Sequence, residues 1–303
     1  MHPAPSMIVF TVLTGLGLGM VALLGLGLGP DYGGTRWLAS ALALLIGAAG
    51  GAASLGHLAH PERAWRGFSQ WRSSWLSREA WLFAATLALF ALHAALWCLG
   101  DLRLRPLGWL VAALALATVY ATSKIYHQLR AVPRWSVPPT PALFLALSLA
   151  GGWIGVRMCQ ALAGQGGADG WLALALLAAG GVWIWWQTQA AGARLAAVGT
   201  DMGTATGLGR LSRIRLFEPP HLGHNYLLDE MAFRVGRRRA YQLRWLGAGL
   251  GLLLPLALVV LSWLLGGWLL VPALLGHVAG VLALRWLFFA EAEHTQALYY
   301  GRV

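Results

Sequence analysis

The chain of 303 residues is 58% hydrophobic and only 11% charged, with a mean hydropathy of +0.63, whereas a soluble protein of this size carries roughly a quarter charged residues. Apolar runs of about 20 residues recur along it, each long enough to cross a ~30 Å hydrocarbon core as a helix, so a soluble globular domain is excluded and an all-α, polytopic membrane protein is predicted. The net charge of +11 comes almost wholly from arginine, with Lys124 the one lysine; its distribution reads as a topology signal, and no nucleic-acid partner is expected.

Eight spans are predicted, at about residues 7–29, 37–58, 79–99, 107–127, 141–163, 171–193, 244–265 and 270–290. Together they form a single membrane domain over residues 1–303. The first run resembles the apolar part of a signal peptide. It lacks a basic leader and is followed by further spans, so it is taken as a retained helix. The runs GLGLGM and GLGLGP in the first span and GAAGGAA in the second are small-residue surfaces that let helices approach closely.

The connections after spans 1, 3, 5 and 7 are short. Those after spans 2, 4 and 6 are long: residues 59–78, 128–140 and 194–243. With eight spans, the long loops and both termini share one face. Fifteen arginines lie on that face and three (Arg36, Arg103, Arg105) on the other. By the positive-inside rule the long-loop face and both termini are predicted cytoplasmic, in a bacterial inner membrane.

The loop 194–243 opens polar and glycine-rich, turns at Pro219–Pro220 and runs into a predicted amphipathic helix, Tyr226–Gln242. Two readings stand side by side: an interfacial helix held by anionic lipid headgroups, or a docking surface for a soluble partner. The docking candidates are Arg210, Arg213, Arg215, His221, His224, Arg237 and Arg238. Gly203, Gly207 and Gly209 do not make a phosphate loop, since no Gly-Lys-Ser/Thr follows.

The two cysteines, Cys98 and Cys159, lie inside apolar runs without a CxxC pattern. The chain therefore has no ligand set for an iron–sulfur cluster of its own, and no metal site or disulfide framework is expected. Electrons would have to come from a partner.

Ionisable groups in or at the edge of spans are functional candidates, because burying them is costly. They crowd in Ser54–Glu79, SLGHLAHPERAWRGFSQWRSSWLSRE, between two apolar runs. His57 ends span 2 and Glu79 begins span 3 on the same face. A histidine that titrates near neutrality and a carboxylate on adjoining helix ends can relay protons, as the two-electron, two-proton chemistry of a quinone requires. Arg78, Ser77 and Trp75 are grouped with them; Trp65, Trp71 and Trp75 also fit the ordinary interfacial belt of tryptophan. A haem b is the alternative cofactor: His93 and His277 fall at similar depth in spans 3 and 8 and would be its axial ligands if the helices faced each other. Arg157 and Arg285 are expected to snorkel or pair, Lys124 and Tyr126 to share a pocket with His127, and Glu291 and Glu293 to feed protons or solvate the tail.

The segment ending in SWLSRE resembles the signature of the anchor subunits of dimethyl sulfoxide reductases, in which a histidine-ended second helix joins an SWLSRE-like start of the third. The likeness extends over most of the chain, including the late EPPHLGHNYLLDEMAF segment. It implies an anchor for a molybdopterin catalytic subunit and a four-cluster iron–sulfur subunit in a heterotrimer. The molybdopterin and clusters would lie in those partners, and the anchor would exchange electrons with ubiquinone or menaquinone. The family's histidine and glutamate at the quinol site match His57 and Glu79. GTDMGTATGLGR, FEPPHLGHNYLLDEM and RWLFFAEAEHTQALYYG are similar to the branch serving cytoplasmic sulfite dehydrogenases, which implies electron flow from sulfite to quinone. The reverse flow, quinol oxidation for a dimethyl sulfoxide reductase, is the alternative.

Overall fold

The computed structural model describes residues 4–31, 33–58, 60–215, 217–218, 239–295 and 298, without the side chains of His57, Ala196 and Ala197. Among the described residues there are helices and turns but no strand. Eight helices are long and apolar enough to span a membrane: α1 (Pro5–Gly25), α2 (Gly33–Ala53), α3 (Trp75–Gly100), α4 (Arg105–His127), α5 (Thr140–Leu162), α6 (Gly170–Gly192), α8 (Ala240–Leu265) and α9 (Gly267–Ala290). A short α7 (Met202–Thr206) lies in the longest loop, started by an Asp201–Thr204 capping box.

A helix that is apolar all round is either a protein core helix or a lipid-facing span; α1 is the former and forms the centre of the bundle. Every residue from Thr14 to Gly25 is buried, against α2, α5, α4 and α9. Its glycines set these approaches. A Cβ on Gly17 would meet the Gly47 backbone nitrogen at 2.5 Å, one on Gly25 the Gly108 carbonyl at 2.5 Å, and one on Gly19 the Ser148 carbonyl at 1.9 Å. The glycine runs therefore act as the small-residue surfaces predicted from the sequence. Gly19→Ala should force α1 and α5 apart and cost about 1–3 kcal/mol, seen as an earlier thermal transition of the purified protein. Gly34→Ala, where a Cβ meets nothing within 4 Å, should leave that transition in place.

The helix ends differ from the hydropathy reading in places where caps decide them. α1 stops at Gly25 rather than 29, because Gly27 takes a left-handed φ of +89°. α2 begins at Gly33 rather than 37 and passes into a 3₁₀ turn, Ser54–His57. α3 begins at Trp75, not 79: the Ser74 side chain accepts a hydrogen bond from the Ser77 backbone N–H, an N-cap. Trp75, Ser77 and Arg78, which precede the predicted span, are thus helical together with Glu79. α8 starts at Ala240 and runs through a π turn at Gly249–Leu253. Of the predicted amphipathic helix, positions 226–238 lie outside the described residues, and Ala240–Gln242 form the first turn of α8.

The two faces are tied differently. On the short-loop face, ion pairs link Arg36 with Asp101, Arg103 with Asp31 (3.3 Å) and Arg157 with Asp169 (3.1 Å). Arg157 therefore pairs rather than snorkels. On the long-loop face, Glu291 at the end of α9 binds both Arg134 of the α4–α5 connection and Arg244 of α8. Arg134 also donates to Gln187 Oε1 (3.3 Å) and the Ala190 carbonyl (3.2 Å) of α6. Burial lowers the pKa of this guanidinium and the Glu291 carboxylate opposes that shift. Glu291 is thus a structural tie between four elements, not a solvated tail residue.

Candidate functional site

Glu79 sits just inside the long-loop end of α3, buried against α4. The Thr122 hydroxyl of α4 donates to its Oε1. Near it along the same seam, the Thr86 and Thr118 hydroxyls meet at 3.2 Å. On α4 the Thr122 oxygen is also 3.1 Å from the Thr118 carbonyl and the Thr118 oxygen 2.8 Å from the Leu114 carbonyl, so the single proton of the Thr122 hydroxyl is shared between its own helix and Glu79.

The neighbours grouped with Glu79 face elsewhere. Arg78 donates from Nε to the Trp71 carbonyl (3.0 Å) and from Nη2 to the Arg72 carbonyl (2.7 Å), and its guanidinium lies 4.5 Å over the Trp75 ring. It braces the loop and does not pair with Glu79. Ser77 is saturated too: it donates to the Gly67 carbonyl and accepts from the Gln70 backbone N–H at 3.0 Å. These two side chains fasten the 3₁₀ segment Pro61–Phe68 and its continuation over the start of α3. Trp75 stands between Arg78 and Lys124, whose ammonium is 5.8 Å from its ring, and meets Tyr120 edge-on. Trp65 and Trp71 are exposed, each with an arginine over its ring, as an interfacial belt requires.

His57 closes the 3₁₀ turn Ser54–His57. That turn lies against the segment Pro61–Phe68, which in turn lies on α3, so the His57 backbone is on the same face as Glu79. The three residues expected to share a pocket diverge. Lys124 reaches Trp75, Tyr126 enters a ring cluster with Trp135, Phe144, Phe288 and Phe289, and His127 Nδ1 is 3.1 Å from the Val137 carbonyl. Arg285 does not snorkel: it is 3% exposed, with its guanidinium 3.4 Å from the Phe144 ring centre.

The two histidines lie on helices that pack on different neighbours. His93 is buried on α3 with both ring nitrogens lacking a hydrogen-bond partner, against Phe90, Trp97 and Gly108. α3 packs on α4 and α2, whereas α9 packs on α8, α5 and α1. His277 of α9 has Nδ1 2.7 Å from the Gly251 carbonyl and Nε2 3.3 Å from the Leu147 carbonyl. One ring thus ties the π turn of α8 to α5, and neither nitrogen is turned to a ligand. Similar depth was legible in the sequence, but adjacency was not.

Of the docking candidates, Arg210, Arg213 and Arg215 are exposed, beside Leu211 (80% exposed) and Phe217 (98%). His221, His224, Arg237 and Arg238 lie outside the described residues. Two participants were missed in the sequence. Thr122 carried no motif. The Arg134–Glu291–Arg244 tie joins residues 157 and 47 positions apart.

Eight spanning helices and a buried carboxyl at the basic, long-loop end define an integral membrane subunit. Its family follows from comparison: the model of the DMSO reductase anchor subunit (DmsC) family matches residues 1–187, and the chain belongs to that family. It is 34% identical to a sulfite dehydrogenase subunit from Allochromatium vinosum, over the whole length of both chains. No solved structure matches the chain.

Proposed function

We propose that this chain is the quinone-reactive anchor of a molybdopterin/iron–sulfur oxidoreductase, taking electrons from sulfite oxidation and passing them to the quinone pool. Membership of the anchor family supports the coarse role, and the full-length likeness to a subunit of a sulfite dehydrogenase supports the substrate and the direction. The assembly is a heterotrimer with a four-cluster iron–sulfur subunit and a molybdopterin catalytic subunit. The iron–sulfur subunit sits on the long loops, where Arg210, Arg213 and Arg215 meet it. The excess of arginine on that face favours a cytoplasmic location for it and for both termini, in a bacterial inner membrane.

The observation that carries the reading is the Glu79 carboxyl, buried at the long-loop end and held by a hydroxyl rather than by a cation. Such a group takes up and releases a proton without breaking an ion pair. A quinone reduced there needs two electrons and two protons. His57, on the same face, is the second member of the relay and the route towards water. Arg78, Ser77 and Trp75 position the segment that lies over the site.

The test separates electron transfer to quinone from turnover at the catalytic subunit. In the purified complex His57→Ala should keep assembly and sulfite-dependent reduction of an artificial dye, and lose quinone reduction. Loss of assembly without a separate effect on quinone turnover would remove the assigned roles. The carbonyl contacts of His277 favour a haem-free anchor. The purified complex should show no Soret band from this chain and no α band on reduction with dithionite; a haem band lost in His93→Ala would reassign that residue.

A further inference from the structure

A cleft of about 740 Å³ lies at the long-loop end of α6 and α8, away from Glu79. It arises from the way the two helices cross. α6 meets α8 along residues 249–265, whereas residues 240–248 lie against α9, so α6 and α8 part towards the long-loop face. The inner wall is apolar, with Trp183 and Ile184 of α6. Ile184 is 58% exposed and stands eight residues before the end of the helix, about 12 Å along its axis. An exposed isoleucine at that depth of a spanning helix faces acyl chains. The gap is therefore open sideways to the bilayer.

The mouth is charged. Arg134, Arg194 and Arg244 line it together with Glu291 and Glu293, three guanidinium groups against two carboxylates. Glu291 is bonded by both Arg134 and Arg244. Arg194, just past the end of α6, is exposed, and among the described residues its Nε donates to the Ala191 carbonyl at 3.3 Å. The lining thus has a net positive charge at headgroup level above an apolar floor at acyl level. Basic pockets of this build between spanning helices take acidic headgroups.

We propose that the cleft between α6 and α8 binds an anionic phospholipid, its phosphate at Arg194 and Arg244 and its upper acyl chain against Trp183 and Ile184. The proposal is independent of the quinone reading. A neutral quinone ring has no need of the cationic excess. A soluble partner would not reach the apolar floor.

The test uses the purified complex in mild detergent. Native mass spectrometry should find phosphatidylglycerol or cardiolipin retained on this chain. After delipidation, added phosphatidylglycerol should raise the thermal transition by several degrees and phosphatidylcholine should not. Arg194→Glu reverses an exposed charge and should lower the retained phosphatidylglycerol at least tenfold. Thr188→Trp fills the cleft from an exposed position without changing charge and should do the same. Equal stabilisation by the two lipids, retention unchanged in both variants, or a quinone in place of the phospholipid would each overturn the proposal.

Discussion

Glu79→Gln should lower quinone reduction by about 10²–10⁴-fold, the range over which a positioned acid–base group contributes, while dye-linked sulfite oxidation stays at the wild-type rate. The expected loss corresponds to about 3–5 kcal/mol in the barrier. The substitution is nearly isosteric. The glutamine carbonyl can still accept from Thr122, the contact that holds Glu79 against α4, so the α3–α4 seam should remain closed and the complex assembled. Thr122→Val removes only the donor. It should cost about 1 kcal/mol of hydrogen bonding and slow quinone reduction by no more than about tenfold. Equal losses of dye and quinone activity in Glu79→Gln would show that the carboxyl serves the fold and not the proton transfer.

Glu291→Gln is expected to have the largest effect on stability. Glu291 and Arg134 are 11% and 15% exposed, and the carboxylate is shared with Arg244. Removing it leaves the Arg134 guanidinium buried with only the weaker influence of the Glu293 carboxylate to oppose its charge, at a cost of up to about 3–5 kcal/mol. The purified protein should therefore melt well below wild type. Replacing both partners with apolar side chains, Arg134→Met with Glu291→Leu, removes the unpaired charge as well as the pair and should recover most of the loss. Arg244→Gln should matter little, since that side chain is 40% exposed and exposed pairs contribute up to about 1 kcal/mol. A wild-type transition in Glu291→Gln would show that this tie does not hold the α4–α5 connection to α6, α8 and α9.

The number of spans and the basic face were legible in the sequence because both follow from local composition. An apolar run longer than the hydrocarbon core must form a helix, whatever it packs against, and arginine accumulates by loop and not by contact. The glycine runs of α1 and α2 were legible as packing surfaces, since a missing side chain permits close approach wherever the partner stands. Glu79 was legible as a candidate by its place at a span edge.

What the tertiary structure decided was which side chains meet. Ser74 was in plain view as a cap, yet hydropathy placed the start of α3 four residues late and made Glu79 a first residue rather than one already buried inside the helix. The partner of Glu79 lies 43 residues away on α4, and Arg78, its chain neighbour, turns to the loop instead. Depth suggested that His93 and His277 could face each other, but the rotation and crossing of α3 and α9 put them against different helices. Those packings include close approaches between helices, such as Gly108 of α4 against His93 of α3 and Gly280 of α9 against Gly251 of α8. Composition therefore determined how many helices cross the membrane and which end is basic, while the mutual fit of the helix surfaces determined that Glu79 meets a hydroxyl and that Glu291 meets two cations.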